Sequence, residues 1–137
     1  MEKIFNYING ELVAPENGQY LDNINPSTGK VYSLIPDSDK RDINNAVKSA
    51  KKAFPMWSST SKQERSKILM KLADNIEKHF DKLVIAESKD NGKPESLASK
   101  VDIPRAPANI RFFAGAILHD SSNLHEMDGV AINYTLR

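Results

Sequence analysis

The chain has 137 residues, of which 39% are hydrophobic and 27% charged, a composition that fits a folded globular chain better than a disordered one. Its 19 Lys and Arg residues nearly balance its 18 Asp and Glu residues, and the net charge of +1 argues against nucleic acid or an anionic membrane as a partner. The chain has no Cys, which excludes disulfides, Cys-ligated metals and a thiolate nucleophile within these residues. We find no apolar run of the length that crosses a bilayer and no secretory signal, so the expected location is the cytoplasm.

Short strands are predicted over the first 36 residues. Asn9-Gly10 lies between the strand-like runs 5–8 and 11–13, and this dipeptide favours a two-residue hairpin turn because both residues tolerate a positive φ. Two further strands are predicted at 20–24 and 30–35, joined by a dense cluster of turn residues at 25–29.

Three helices are expected in the middle of the chain, each with its own start and stop signals. Asp39 is a candidate cap for the first, and Pro55 is expected to end it. Ser61 followed by Glu64 is a capping-box pattern for the second, and Asp81 is a candidate cap for the third. Apolar residues then recur with the spacing of one helix face. The predicted helices span 39–54, 61–80 and 81–91.

The last part of the chain predicts helix, then loop, then strand. A short helix and a longer one are expected between 94 and 118, with Pro104 or Pro107 opening the longer one. The polar stretch 120–129 is expected to be a loop. Apolar residues alternate along 130–137, which indicates a half-buried strand that needs a partner.

Few residues stand out as candidates for chemistry from spacing alone. Asp90 lies at a predicted helix end, where the helix dipole does not favour a carboxylate, and a cation or a basic partner would explain it; an exposed Asp is the simpler interpretation. Arg105 lies between two prolines in an apolar stretch. Its spacing favours an ion pair with Asp102, and the alternative is a guanidinium that binds a carboxylate ligand.

The order of several short motifs resembles the opening of the NAD(P)-dependent aldehyde dehydrogenases. These motifs are YINGE at 7–11, NPSTGKV at 25–31, AVKSAKKAF at 46–54 with Trp57, QER at 63–65, ESKDNGKP at 87–94 and RFFAG at 111–115. Within that family the second half of the chain is most similar to the 2-aminomuconic and 2-hydroxymuconic semialdehyde dehydrogenases, through DIPR at 102–105, ILH at 117–119, EMD at 126–128 and NYTLR at 133–137.

The resemblance implies an α/β fold made of the N-terminal β-hairpins and helical layer of a cofactor-binding domain. Residues 1–129 would belong to that domain, with strands to about 36 and helices to about 118. Residues 130–137 would be the first strand of the oligomerisation domain. The resemblance covers roughly the first quarter of such an enzyme, so the chain is expected to be an N-terminal fragment that needs the remainder of the polypeptide and forms a homo-oligomer in its full-length form.

The resemblance also implies the reaction and the site residues. The complete enzyme would oxidise a carboxylated semialdehyde to the acid, with NAD, or alternatively NADP, as the cofactor. The oxyanion-hole Asn, the general-base Glu and the nucleophilic Cys of the family have no counterparts here, so no catalytic or cofactor-binding residue is expected in this chain, and the chain alone is expected to be inactive and to bind no cofactor. Arg105 matches a substrate-tunnel position, where it would bind the carboxylate of the substrate. The backbone oxygen of Ile24 and the carboxylate of Asp90 match a structural monovalent-cation site. The alternative is a stand-alone helical module that acts by binding, or a degenerate truncated product.

Overall fold

The computed structural model describes residues 1–119, 121, 123–126, 129 and 132–135. The chain begins with a three-stranded sheet and a separate hairpin. In the sheet the strand order is β1 (Glu2–Lys3), β5 (Lys30–Pro36) and β4 (Tyr20–Asn25), with β1 parallel and β4 antiparallel to β5. The two predicted strands of the sheet are confirmed. The short strand β1 carries no sequence signal, since its two residues form a strand only through their pairing with β5.

The predicted hairpin is also confirmed. Strands β2 (Asn6–Ile8) and β3 (Glu11–Val13) pair antiparallel around Asn9 and Gly10, whose φ angles are 57° and 85°. Two consecutive positive φ values define the turn type that matches the twist of a two-residue hairpin.

The first helix is longer than predicted. Helix α1 spans Lys40–Ser59 and begins with the Asp39 cap, but it continues through Pro55, so the prediction that Pro55 ends it is wrong. The hydroxyls of Ser58, Ser59 and Thr60 donate to the carbonyls of Pro55 and Met56. The last carbonyls of a helix have no amide donor within the helix, and these hydroxyls donate to them instead.

The next two helices follow their predicted caps in part. Helix α2 spans Lys62–Lys78. The Ser61 hydroxyl accepts from the Glu64 amide at 3.1 Å, which is one half of the predicted capping box. Helix α3 spans Phe80–Asn91 and begins after His79, so Asp81 lies inside its first turn and the prediction that Asp81 caps it is wrong. A carboxylate in the first turn still interacts favourably with the positive end of the helix dipole.

The helices after Pro94 form one continuous run. Helix α4 spans Glu95–Leu97, a π-helical segment spans Ala98–Asp102, and helix α5 spans Ile103–His119. Pro104 lies in the first turn of α5, as predicted, where a missing N–H costs little. The wider π turn joins α4 to α5 without the break that the two prolines suggested.

The predicted loop at 120–129 is wrong in part. Strand β6 (Asn123–Glu126) lies within it and pairs antiparallel with β7 (Ile132–Thr135). The sequence around β6 is polar, and its strand conformation comes from the pairing with β7 rather than from its own propensity. Strand β7 falls inside the predicted strand 130–137; positions 130, 131, 136 and 137 lie outside the described residues. The proposed domain boundary at 129/130 stays a prediction.

Helices α2 and α5 pack closely along each other, and small side chains form their contact. Ala73 on α2 and Ala114 on α5 are fully buried, which lets the two backbones approach. Large apolar side chains remain exposed on the described residues, among them Phe54 (64%), Phe112 (68%) and Phe113 (63%). Exposed apolar surface of this extent is typical of a face that another part of a structure covers. None of the described helices combines the length and hydropathy needed to span a bilayer.

Candidate substrate and cation sites

The residues predicted for a cation site lie close together in the fold. Ile24 is on β4, and Asp90 is in the last turn of α3, which packs against β4. The side chain of Asn23, next to Ile24, has its Nδ2 3.5 Å from Asp90 Oδ1. The structure thus places the Asp90 carboxylate beside β4 at Asn23, the residue before Ile24, although Ile24 and Asp90 are 66 positions apart in the sequence.

A hydrogen-bond network fixes one oxygen of Asp90. The Tyr32 hydroxyl donates to Asp90 Oδ1 at 2.8 Å, and Asn23 Nδ2 donates to Tyr32 Oη at 2.9 Å and to Ser33 Oγ at 3.1 Å. Burial and the neighbouring Asp90 carboxylate raise the pKa of Tyr32, so the hydroxyl keeps its proton and stays a donor. Sequence analysis missed Tyr32 and Asn23, since nothing in their spacing indicates a contact with α3.

The end of α3 is fixed against the turn between β4 and β5. Gly92 caps α3 in the left-handed conformation, with a φ of 76°, and its amide donates to Ser88 O. A Cβ at this position would lie 3.1 Å from Pro26 Cβ and 3.1 Å from Ser27 N. Glycine is therefore required here both for its backbone conformation and for the close approach of the turn.

The donors at this place fit part of a site for a hard cation. The second oxygen of Asp90, Oδ2, accepts no hydrogen bond from any residue that the structure describes. A hard cation prefers six or more oxygen ligands, and the Asp90 carboxylate with the Ile24 carbonyl provides fewer. Over the described part of the chain, no three His, Cys, Asp or Glu residues group together as a metal site. A cation here would need further oxygen donors from water or from other polypeptide.

Asp102 binds Lys93, not Arg105. Lys93 Nζ lies 2.6 Å from Asp102 Oδ2 and 3.1 Å from Glu87 Oε1, and its side chain is 24% exposed. The hydrogen bonds to these two carboxylates raise the pKa of Lys93 and keep it charged. The predicted Asp102–Arg105 ion pair is therefore wrong, because the Asp102 carboxylate is paired with Lys93 instead.

Among the described residues, Arg105 has a guanidinium without a partner. It is exposed on the first turn of α5, and it has no hydrogen bond or ion pair with the described part of the chain. A planar guanidinium with free donors can bind a carboxylate through two parallel hydrogen bonds. Asp90 lines a cleft of about 520 Å³, and Arg105 is not among the residues that line it. Ile103, two residues before Arg105, does line this cleft.

A second arginine of α5 has a structural role that the sequence did not indicate. Arg111 donates to Asp74 Oδ1 at 2.7 Å and to both carboxylate oxygens of Glu77, which lie on α2. These contacts raise the pKa of Arg111 and lower the pKa of Glu77. Arg111 thus joins α5 to α2, and it leaves Arg105 as the guanidinium of α5 that is open to a ligand.

Comparison with known proteins gives the family. The model of the aldehyde dehydrogenase family matches residues 12–137. The chain belongs to the aldehyde dehydrogenase family. It is 47% identical over 133 residues to the 2-aminomuconic semialdehyde dehydrogenase of Danio rerio and 45% identical over 133 residues to that of Homo sapiens. In both cases the match covers 96% of this chain and 27% of the relative, so the chain spans about a quarter of the length of these relatives.

The fold of the aldehyde dehydrogenases is shared as well. The chain is similar to an aldehyde dehydrogenase from Bacillus cereus in a complex with NAD+, with a TM-score of 0.89 and 34% identity. The superposition covers 97% of this chain and 28% of that one. The expected fold class, a part of the α/β aldehyde dehydrogenase fold, is therefore confirmed.

Proposed function

We propose that these residues are the N-terminal portion of an NAD-dependent aldehyde dehydrogenase that oxidises a carboxylated semialdehyde to the acid, with NADP as the alternative cofactor. The family match and the activity for which these relatives are named support the reaction class. The observation that carries the choice of a carboxylated substrate is the exposed Arg105 guanidinium, whose neighbouring carboxylate Asp102 is bound to Lys93.

Arg105 is proposed to bind and orient the substrate. Its two parallel N–H donors match the two oxygens of a carboxylate, and this contact would fix the acid end of a semialdehyde while leaving the aldehyde end free. NAD supplies the hydride acceptor in an enzyme of this family. The chain has no Cys, so the nucleophile would come from residues beyond these 137, and the chain alone would be inactive.

The Asp90 carboxylate and the Ile24 carbonyl are proposed as two ligands of a structural monovalent cation. The network from Tyr32 and Asn23 supports this role, since it orients Asp90 and leaves Oδ2 for a cation. The test is the thermal midpoint of the complete enzyme in KCl against N-methylglucamine chloride at equal ionic strength. Potassium is expected to raise the midpoint, and Asp90→Asn is expected to abolish the difference. Asp22→Asn, at an exposed position of the same strand, is the control. An unchanged difference in Asp90→Asn would remove Asp90 from the site.

The proposal extends to assembly and location. We propose that the remainder of the same polypeptide packs against the exposed apolar side chains of α1 and α5, such as Phe54 and Phe113. Residues 130–137 are proposed to belong to the oligomerisation domain of a homo-oligomer in the cytoplasm.

The first test is the intact mass of the natural polypeptide, isolated with an antibody to these residues. The proposal predicts a mass several times 15.3 kDa. A mass near 15.3 kDa would overturn it and favour the alternative, a non-enzymatic helical module or a degenerate truncated product.

The second test measures the substrate role of Arg105 in the complete enzyme. Succinic semialdehyde and butanal have the same chain length and differ in the carboxylate. Loss of a hydrogen bond to a charged group costs about 1.5–3 kcal/mol, so Arg105→Ala is expected to raise the KM for succinic semialdehyde about 10- to 150-fold and to leave the KM for butanal unchanged. Arg41→Ala is the control, because Arg41 pairs with Asp39 at the start of α1. Equal effects on both substrates would remove Arg105 from the substrate site.

A further inference from the structure

Asp102 and Arg105 have the spacing of a helical ion pair, yet the structure pairs Asp102 elsewhere. They lie three residues apart in the continuous run that leads from the π-helical segment into α5. Oppositely charged side chains at this spacing are neighbours on a helix surface and attract each other. Instead, Asp102 Oδ2 accepts a hydrogen bond from Lys93 Nζ at 2.6 Å.

Lys93 is held firmly in the position that makes this contact. Its amide donates to Asn91 Oδ1 at 3.0 Å, and its carbonyl accepts from Ser88 Oγ at 2.6 Å. Its ammonium group also donates to Glu87 Oε1. Because the backbone and the side chain of Lys93 are already held by other bonds, its contact with Asp102 costs little additional conformational entropy. An Arg105–Asp102 pair would instead have to immobilise an exposed arginine side chain.

We propose that Lys93 is a positioning residue that sets the preference for carboxylated substrates, because it keeps the Asp102 carboxylate away from the Arg105 guanidinium. This inference rests on the proposed function of Arg105. A carboxylate three residues away in the same continuous helical run competes with a substrate carboxylate for the same donors. By binding Asp102, Lys93 removes that competitor and leaves Arg105 with its full charge and all of its donors for the ligand.

The test uses kinetics of the complete enzyme with succinic semialdehyde and butanal. In Lys93→Met, Asp102 is free to pair with Arg105. With the strength that exposed ion pairs have in general, this competition is expected to raise the KM for succinic semialdehyde about 2- to 6-fold. The KM for butanal and the kcat for both substrates are expected to stay unchanged. Lys93→Arg, which keeps the charge, is expected to behave as the parent enzyme.

A second substitution separates this role from a structural one. Adding Asp102→Asn to Lys93→Met removes the competitor, and the KM for succinic semialdehyde is expected to return to the parent value. A purely structural role of Lys93 would instead affect both substrates or kcat, and Asp102→Asn would not restore it. That outcome would overturn the proposal.

Asp102→Asn alone tests the proposal even if Lys93→Met fails to fold. Because Asp102 is bound to Lys93, its neutralisation is expected to leave the KM for succinic semialdehyde unchanged. A clear fall in that KM would mean that Asp102 already competes for Arg105, which contradicts the proposal. If Arg105→Ala affects both substrates equally, the proposed function fails; if Arg105→Ala is selective and Lys93→Met has no effect, only this inference fails.

Discussion

Gly92→Ala is expected to loosen the contact between the end of α3 and the turn that joins β4 to β5. The substitution has two separate costs. Alanine in the left-handed conformation costs about 1–2 kcal/mol. The new Cβ would also lie 3.1 Å from both Pro26 Cβ and Ser27 N. Neither atom can move away easily, since Pro26 is a rigid ring and the Ser27 amide donates to Asn25 Oδ1 at 2.9 Å. Overpacking of this kind costs about 1–3 kcal/mol more.

Gly29→Ala is the matched control, because it isolates the backbone cost. Gly29 has a φ of 67°, and apart from its chain neighbours no described residue has a heavy atom within 4 Å of the Cβ that alanine would place there. Both variants are compared in the complete polypeptide by hydrogen exchange of the peptides that cover β4, β5 and the last turn of α3. An additional 1 kcal/mol corresponds to about fivefold faster exchange, so Gly92→Ala is expected to exceed Gly29→Ala by at least about that factor. Equal exchange in the two variants would refute the argument, because it would mean that the Pro26 turn does not rest against Gly92.

Two further predictions concern α2. Ser61→Ala removes the acceptor of the Glu64 amide and is expected to cost about 1 kcal/mol, seen as faster hydrogen exchange confined to the start of α2; unchanged exchange there would contradict the capping role. Arg111→Met removes the ion pairs to Asp74 and Glu77. Because the folded pKa of Glu77 lies below the ordinary value of 4.5, the stabilisation by this pair is present above that pH and is lost as the pH falls through the folded pKa. The thermal midpoint of Arg111→Met should therefore fall less between pH 6 and pH 3 than that of the parent protein, and parallel curves would contradict this role.

The elements that the sequence predicts well are those with a local physical cause. Asn9-Gly10 fixes the hairpin through its own backbone preferences, and Ser61 caps α2 through a contact three residues away. Pro55 was misleading because a proline lowers the stability of a helix interior but does not forbid it, and neighbouring hydroxyls satisfy the carbonyls of the last turn. Strand β6 was missed since its conformation depends on a partner strand.

The candidate sites also depend more on contacts between distant residues than on local sequence signals. Asp90 and Arg105 stand out by their positions in the sequence, whereas their roles, and the choice of Ile24, come from the resemblance to a family and are proposals. The contacts that give them their properties are between distant residues: Tyr32 reaches Asp90 across 58 positions, and Asn23 reaches it across 67. Lys93 is nine residues from Asp102, a separation that matches neither helix nor strand periodicity, because a helix end, a proline and a π-helical segment lie between them. No pattern in a single sequence encodes such a contact.

The end of α3 links the two proposed sites in one short stretch of chain. Asp90 lies two residues before Gly92 and contacts Tyr32, while Lys93 directly follows Gly92 and binds Asp102. Gly92 sets the direction in which the chain leaves the helix towards Lys93, and its close approach to Pro26 and Ser27 holds the last turn of α3, which contains Asp90, against the turn between β4 and β5. A cation bound at Asp90 would stabilise this same turn. The proposed cation site and the proposed role of Arg105 would therefore depend on one local conformation, even though Asp90 and Arg105 share no hydrogen bond or ion pair.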